Sequence, residues 1–389
     1  VHFQWLTEQL PTDRMLATVV MDASRDTESG DRAVAMRWSE LRRSLDDQGP
    51  GAAFSGVLEE QVLRPTRAGG PHGRLVVASE DEVLMDRLLL APPRKDEAVL
   101  TMGPDVFALA READDTVRYL LAEIDRTGAD LVLYDSTSGA VGGSPHRESV
   151  DGAHDVLNKI RGGGLSHKRI ESRVEDSWER NAETVAADLD RIVLERRPDL
   201  LVLTGDVRAV ALVQGALGAA AREVAEQVPG GARNNDVNGT FEARVDEVLE
   251  AFRERRRGLV LDRFSAEVGR NGLAVTGLAR VVDALRKAQV EELVVSDEAI
   301  GPVSTLAEIK LWMGEKPLEL SMHRDEIRQL SSGDAHARRA DLALGTAAAA
   351  QDAGITIAYD GAEALLDGVG AVLRWDPAKP SGLTEAQPG

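Results

Sequence analysis

The sequence predicts an α/β protein, α+β overall, built as three domains. Its 389 residues exceed what one hydrophobic core usually organises. Apolar residues recur at strand spacing and at helix spacing in every third of the chain. The pattern also breaks near Arg111 to Asp115, after the run Arg253 to Gly258, and at Pro377. The expected domains are a mixed α/β domain over 1–112, a middle domain over 113–257 and a compact α/β domain over 258–376. A Pro-, Ser- and Gly-containing tail over 377–389 is expected to be disordered.

The elements follow in order. Residues 14–21 read as a strand; 31–47, with Val34, Trp38, Leu41 and Leu45 three and four apart, read as an amphipathic helix that Gly49-Pro50-Gly51 stops. Short strand-like runs follow at 75–78, 85–90 and 98–101, so this domain is expected to be mostly β with one main helix. Strands at 117–124 and 130–134 flank the turn Thr127-Gly128. A polar loop over 136–155 leads to a glycine cluster and a helix that ends at Pro198, because the residue before proline disfavours the helical region.

Leu200 to Leu203 reads as a buried strand, Gly205-Asp206 as a turn and 207–227 as a helix, an alternation that implies parallel strands. After a Gly- and Asn-rich loop, 241–257 is expected as a charged helix ending in Arg253-Glu254-Arg255-Arg256-Arg257, where the helix dipole favours cations. The last third repeats helix then strand: 275–287 before 292–295, and 340–353 before 355–359.

Composition narrows the chemistry. With no cysteine, disulfides, thiolate nucleophiles and cysteine-containing zinc sites are excluded, and a reducing, cytoplasmic setting is expected. Seven scattered histidines form no ligand cluster, and no apolar run nears the ~20 residues of a membrane helix. A net charge of −20 argues against an indiscriminate nucleic-acid coat, so any RNA contact has to be local.

Such a local site stands in the middle domain. Lys159, Arg161, His167, Lys168, Arg169 and Arg173 surround Gly162-Gly163-Gly164-Leu165-Ser166 at the start of a helix whose apolar stripe is Val174, Trp178, Ala182, Val185, Leu189 and Ile192. Glycines let backbone approach a ligand closely, and amides ahead of a helix can receive phosphate oxygens. A flexible linker before an ordinary helix is the plainer reading of the same glycines.

Gly163-Gly164-Leu165-Ser166-His167-Lys168-Arg169-Ile170 resembles the Gly-Gly-Gln-Ser-x-x-Arg-Phe signature of archaeal and eukaryotic class one release factors, and Arg173 and Glu179-Arg180-Asn181-Ala182-Glu183 continue the likeness. The resemblance points to the bacterial branch of that family, with its Balon-type ribosome hibernation factors and relatives of the Vms-type peptidyl-tRNA hydrolases. It implies an RNase-H-like middle domain, a C-terminal domain similar to a kink-turn-binding ribosomal-protein fold, ribosome binding at the A site, and partnership with a translational GTPase such as elongation factor Tu. No cofactor is implied. The family's Asn-Ile-Lys-Ser and cysteine motifs are absent, so stop-codon reading is not expected.

Leu165 stands where the family places the glutamine that positions the hydrolytic water, and leucine can neither donate nor accept that hydrogen bond. Binding without hydrolysis is therefore expected. In a competing reading, His167 acts as general base with Ser166 or water as nucleophile; no orienting carboxylate stands at suitable spacing for it. A third reading is an interaction protein unconnected to ribosomes. Asp135, Glu183 and Asp206 could be nuclease carboxylates, although Asp206 reads more simply as a helix cap. Trp38 and Trp178 read as core, and His323 as an ordinary loop or helix-start residue.

Overall fold

The computed structural model describes residues 10–11, 14–25, 29–66, 71–89, 92–115, 117–134, 146–151, 167–231, 239–301, 303–330 and 333–375. They fall in two compact units, one from Val1–Thr116 and Glu254–Gly389, the other from Val117–Ser138 and Gly143–Arg253. The mixed α/β class is as the sequence predicts.

In the first unit an antiparallel sheet runs β3-β2-β1-β4, from β1 (Met15–Asp22), β2 (Gly73–Ala78), β3 (Val83–Leu89) and β4 (Glu97–Met102). Strand side chains alternate between faces, and here both faces are buried. Ala17, Val19, Met21, Val76 and Ala78 pack on α1 (Gly30–Asp47) and α2 (Gly51–Leu63) through Val34, Trp38, Phe54 and Leu58. Leu16, Leu75 and Val77, on the opposite face, join a core shared with α3 (Val106–Asp115) and with the C-terminal third of the chain.

That third contributes a second sheet, ordered β10-β16-β11-β15, from β10 (Ala274–Thr276), β11 (Val290–Ser296), β15 (Gly354–Ala358) and β16 (Val369–Leu373). Its β11 and β15 are parallel. The helices α8 (Leu278–Arg286), α9 (Thr305–Glu308), α10 (Arg324–Leu330) and α11 (Ala340–Ala350) belong to this segment. So does a small sheet ordered β13-β12-β14, from β12 (Lys310–Met313), β13 (Leu320–Ser321) and β14 (His336–Arg339).

The second unit is a five-stranded sheet ordered β7-β6-β5-β8-β9. A hairpin of β5 (Tyr119–Ile124) and β6 (Gly128–Tyr134) extends to β7 (His146–Asp151), while β8 (Leu200–Gly205) and β9 (Ala225–Gln227) add in parallel. Leu120, Ala122, Leu131, Leu201 and Leu203 face α4 (His167–Arg196) and α5 (Val207–Ala216). Leu121, Val132, Leu200 and Val202 face Phe241, Val245 and Leu249 of α7 (Gly239–Gly269). The parallel pairing expected from α/β alternation is present.

Several expectations are corrected. Helices α2, α3, α9 and α10 and strands β7, β10, β12, β13, β14 and β16 go beyond the sequence reading: α2 begins at Gly51, which reads as part of a turn, and α3, with Val106, Leu109, Ala110 and Ala113 at helical spacing, lies where the pattern reads as a domain break. The single helix expected over 207–227 divides into α5, α6 (Ala219–Glu223) and β9. Between α5 and α6 the Gly218 amide donates to both oxygens of Asp190 at 3.0 Å, and the last residues serve as an edge partner of β8.

The charged helix does not end at Gly258 but continues to Gly269. Glycine inside a helix costs about 1 kcal/mol relative to alanine. Full burial of Phe264 among Val294, Val372 and Leu365, worth roughly 1.5–3 kcal/mol, outweighs it. The arginine run is therefore mid-helix, and dipole stabilisation is not its explanation. Arg257 pairs with the buried Asp114 at 2.9 Å and lies over the Tyr359 ring, Arg256 also reaches Asp114, and Arg253 pairs with Glu250.

Candidate functional site

Lys159, Arg161, Gly162, Gly163, Gly164, Leu165 and Ser166 lie outside the described residues, as do Asp135 and the tail over 377–389. His167, Lys168, Arg169 and Arg173 fall on the first two turns of α4. In sequence, this 30-residue helix begins three positions after Gly164.

That helix is held by the stripe the spacing predicts: Ala182, Val185, Leu189 and Ile192 are buried against the sheet. Trp178 differs. It is half-buried, and its ring carries the Arg126 guanidinium at 4.5 Å. Arg126 sits in the β5–β6 turn, which Asp125 shapes by accepting from the amides of Thr127 and Gly128 at 2.7 and 2.9 Å. The Asn181 side-chain amide donates to the Arg126 carbonyl at 3.1 Å, and the Arg126 guanidinium pairs with Asp206 at 3.2 Å.

The turn, the middle of α4 and the start of α5 are therefore tied together on one side of the sheet. At 1.5 Å rise per residue, this tie stands roughly 16 Å along α4 from His167. It ties the middle of the helix to the sheet. Sequence reasoning identified the turn but not Arg126 as a partner of Trp178, since the two are far apart in the chain. The signal within reach was Asn181, a polar residue one helical turn beyond Trp178 on the apolar stripe.

Asp206 caps α5 by accepting from the amides of Arg208 and Ala209 at 3.0 and 3.1 Å. The bond from Ala209, then the positive charge of Arg126, hold its carboxyl below the usual range. With its oxygens so engaged and Glu183 exposed, the two described carboxylates have separate surroundings. Among the described residues no group of three His, Asp or Glu side chains could hold a metal ion. His323, exposed ahead of α10, donates its backbone amide to Ser321. Among the described residues no helix is long and apolar enough to cross a membrane.

Residues 118–270 match the model of bacterial archaeo-eukaryotic release factor family 2. The chain is 28% identical over 380 residues to the uncharacterized protein Rv2629 of Mycobacterium tuberculosis strain ATCC 25618 / H37Rv, covering 96% of each chain. The uncharacterized protein MT2704 of strain CDC 1551 / Oshkosh matches to the same extent. Among solved structures, Saccharomyces cerevisiae Dom34, a translation termination-like factor, aligns at 10% identity with a TM-score of 0.38 over 78% of this chain and 80% of that one. Archaeoglobus fulgidus Pelota aligns at 12% with a TM-score of 0.33 over the same shares. Residues 118–270, which include the glycine-rich segment and the helix that follows it, are thus similar to the bacterial branch of the archaeo-eukaryotic release-factor family.

Proposed function

We propose that this chain is a ribosome-binding factor that occupies the A site of idle ribosomes, directs the segment 162–173 toward the peptidyl-transferase centre, and does not release the nascent peptide. The observation that carries this reading is Leu165 between the glycines and Ser166, just ahead of α4 in the sequence. An apolar side chain there cannot hold a water against an ester, whereas the glycines and the cations Lys159, Arg161, Lys168, Arg169 and Arg173 retain what RNA contact needs. The match of residues 118–270 to a release-factor family model supports the ribosome as target. Delivery by a translational GTPase of the elongation factor Tu kind belongs to the same proposal.

The test is co-sedimentation with vacant 70S ribosomes at low and high salt, with peptidyl-tRNA release assayed in the same samples. Salt-sensitive binding without release is the expected result, because phosphate contacts weaken as counterions accumulate. Binding with release would instead assign Ser166 and His167 to catalysis. No binding at either salt would sink the ribosomal reading.

A further inference from the structure

Within the first unit, a charged cluster is partly buried where the N-terminal sheet meets the C-terminal segment. Glu97 on β4 approaches Arg111 of α3 at 3.4 Å, and Arg111 also holds Asp297, just after β11, at 2.9 Å. Asp105 caps α3, accepting from the amides of Phe107 and Ala108 at 3.0 and 3.2 Å. Asp341, at the head of α11, accepts from Arg339 and from the amide of Gly301 at 3.2 Å. Arg338 at the end of β14 crosses to the N-terminal sheet and donates to Thr101 at 2.8 Å and to the Met102 carbonyl.

The charges do not balance. Four carboxylates, Glu97, Asp105, Asp297 and Asp341, face three guanidinium groups, those of Arg111, Arg338 and Arg339, while Lys95 near the start of β4 is exposed. One oxygen shows the deficit. Glu97 Oε1 is buried with no hydrogen-bond partner among the described residues, and it lies against Gly301, where an added Cβ would stand 3.0 Å from it. A buried acceptor left unpaired is costly, and more so when charged.

We propose that Glu97 is a proton-operated latch between the N-terminal sheet and the C-terminal segment. With its carboxyl protonated the buried charge is balanced and the two segments hold together; with it ionised, an uncompensated negative charge loosens them. Burial first, then the neighbouring Asp105, pushes the Glu97 carboxyl up to about 7. Asp105 is likewise raised by burial and by Asp341. The folded protein therefore holds this proton more tightly than the unfolded chain does. Its contribution to stability is complete below the ordinary glutamate range and is lost as pH rises through about 7.

Thermal unfolding of the full chain and of Glu97→Gln between pH 5 and 8.5 tests the latch. Wild type is expected to lose several degrees of Tm between pH 6 and 8, and E97Q to lack that fall while matching wild type near pH 5. Unfolding wild type at pH 6 in weak buffer should release about one proton more than unfolding E97Q. Asp105→Asn, which retains a capping side chain, should move the fall in Tm to lower pH. Equal pH slopes in wild type and E97Q, or a Tm of E97Q below wild type even at pH 8, would overturn the latch and leave Glu97 as a simple ion-pair partner of Arg111.

Discussion

At the scale of single residues, the end of β8 shows how little tolerance the site's frame has. Gly205 takes φ +123°, and an added Cβ would stand 1.9 Å from the Ile124 carbonyl oxygen. Gly205→Ala is therefore expected to cost at least about 3 kcal/mol, or to abolish folding of the second unit, as chemical denaturation would show. The next residue, Asp206, contributes a cap and a partner for Arg126, so Asp206→Ala should cost about 1 kcal/mol. Because its carboxyl is held low, that contribution exists above the ordinary aspartate range and disappears as pH falls through the folded value. The difference between wild type and Asp206→Ala should then vanish in acid. The sequence reads both residues as a turn, whereas Gly205 ends β8 and Asp206 caps α5; the Ile124 carbonyl that makes the glycine obligatory belongs to a neighbouring strand.

At the scale of elements, periodicity was a good guide wherever one face of a helix is buried. The stripe of α1 and the lower stripe of α4 were legible from spacing alone, since Val34, Trp38, Leu41, Leu45, Ala182, Val185, Leu189 and Ile192 all lie in the core. It was not followed for α3, a short helix where the pattern reads as a domain break, nor for α2, whose first residue Gly51 belongs to a Gly-Pro-Gly run that imitates a turn. It also stopped α7 early. Gly258 has open space around its missing Cβ and lies inside the helix, so Gly258→Ala should raise stability by about 1 kcal/mol in urea unfolding. A loss on that substitution would mean that the helix needs a bend there.

At the scale of the whole molecule, the ribosomal proposal makes two mutational predictions. Reversing Lys168, Arg169 and Arg173 to Glu should weaken ribosome co-sedimentation by tenfold or more and flatten its salt dependence, whereas an interaction protein unconnected to ribosomes would be indifferent. Leu165→Gln should confer peptidyl-tRNA release that wild type lacks; release by wild type would make the leucine irrelevant to chemistry. The release-factor likeness of the middle segment, the basic character of 159–173 and the strands and helices with a clear apolar stripe or run were determined by the sequence by itself, because motifs and periodicities are local properties. Tertiary structure decided the rest. Both faces of β1 and β2 are covered, one by α1 and α2 and the other by a core shared with residues far along the chain, so the first and last thirds form one compact unit. Likewise Arg126 on Trp178, Arg257 on Asp114 and the cluster around Glu97 depend on partners distant in sequence, and no spacing rule reports which charges will share a buried site.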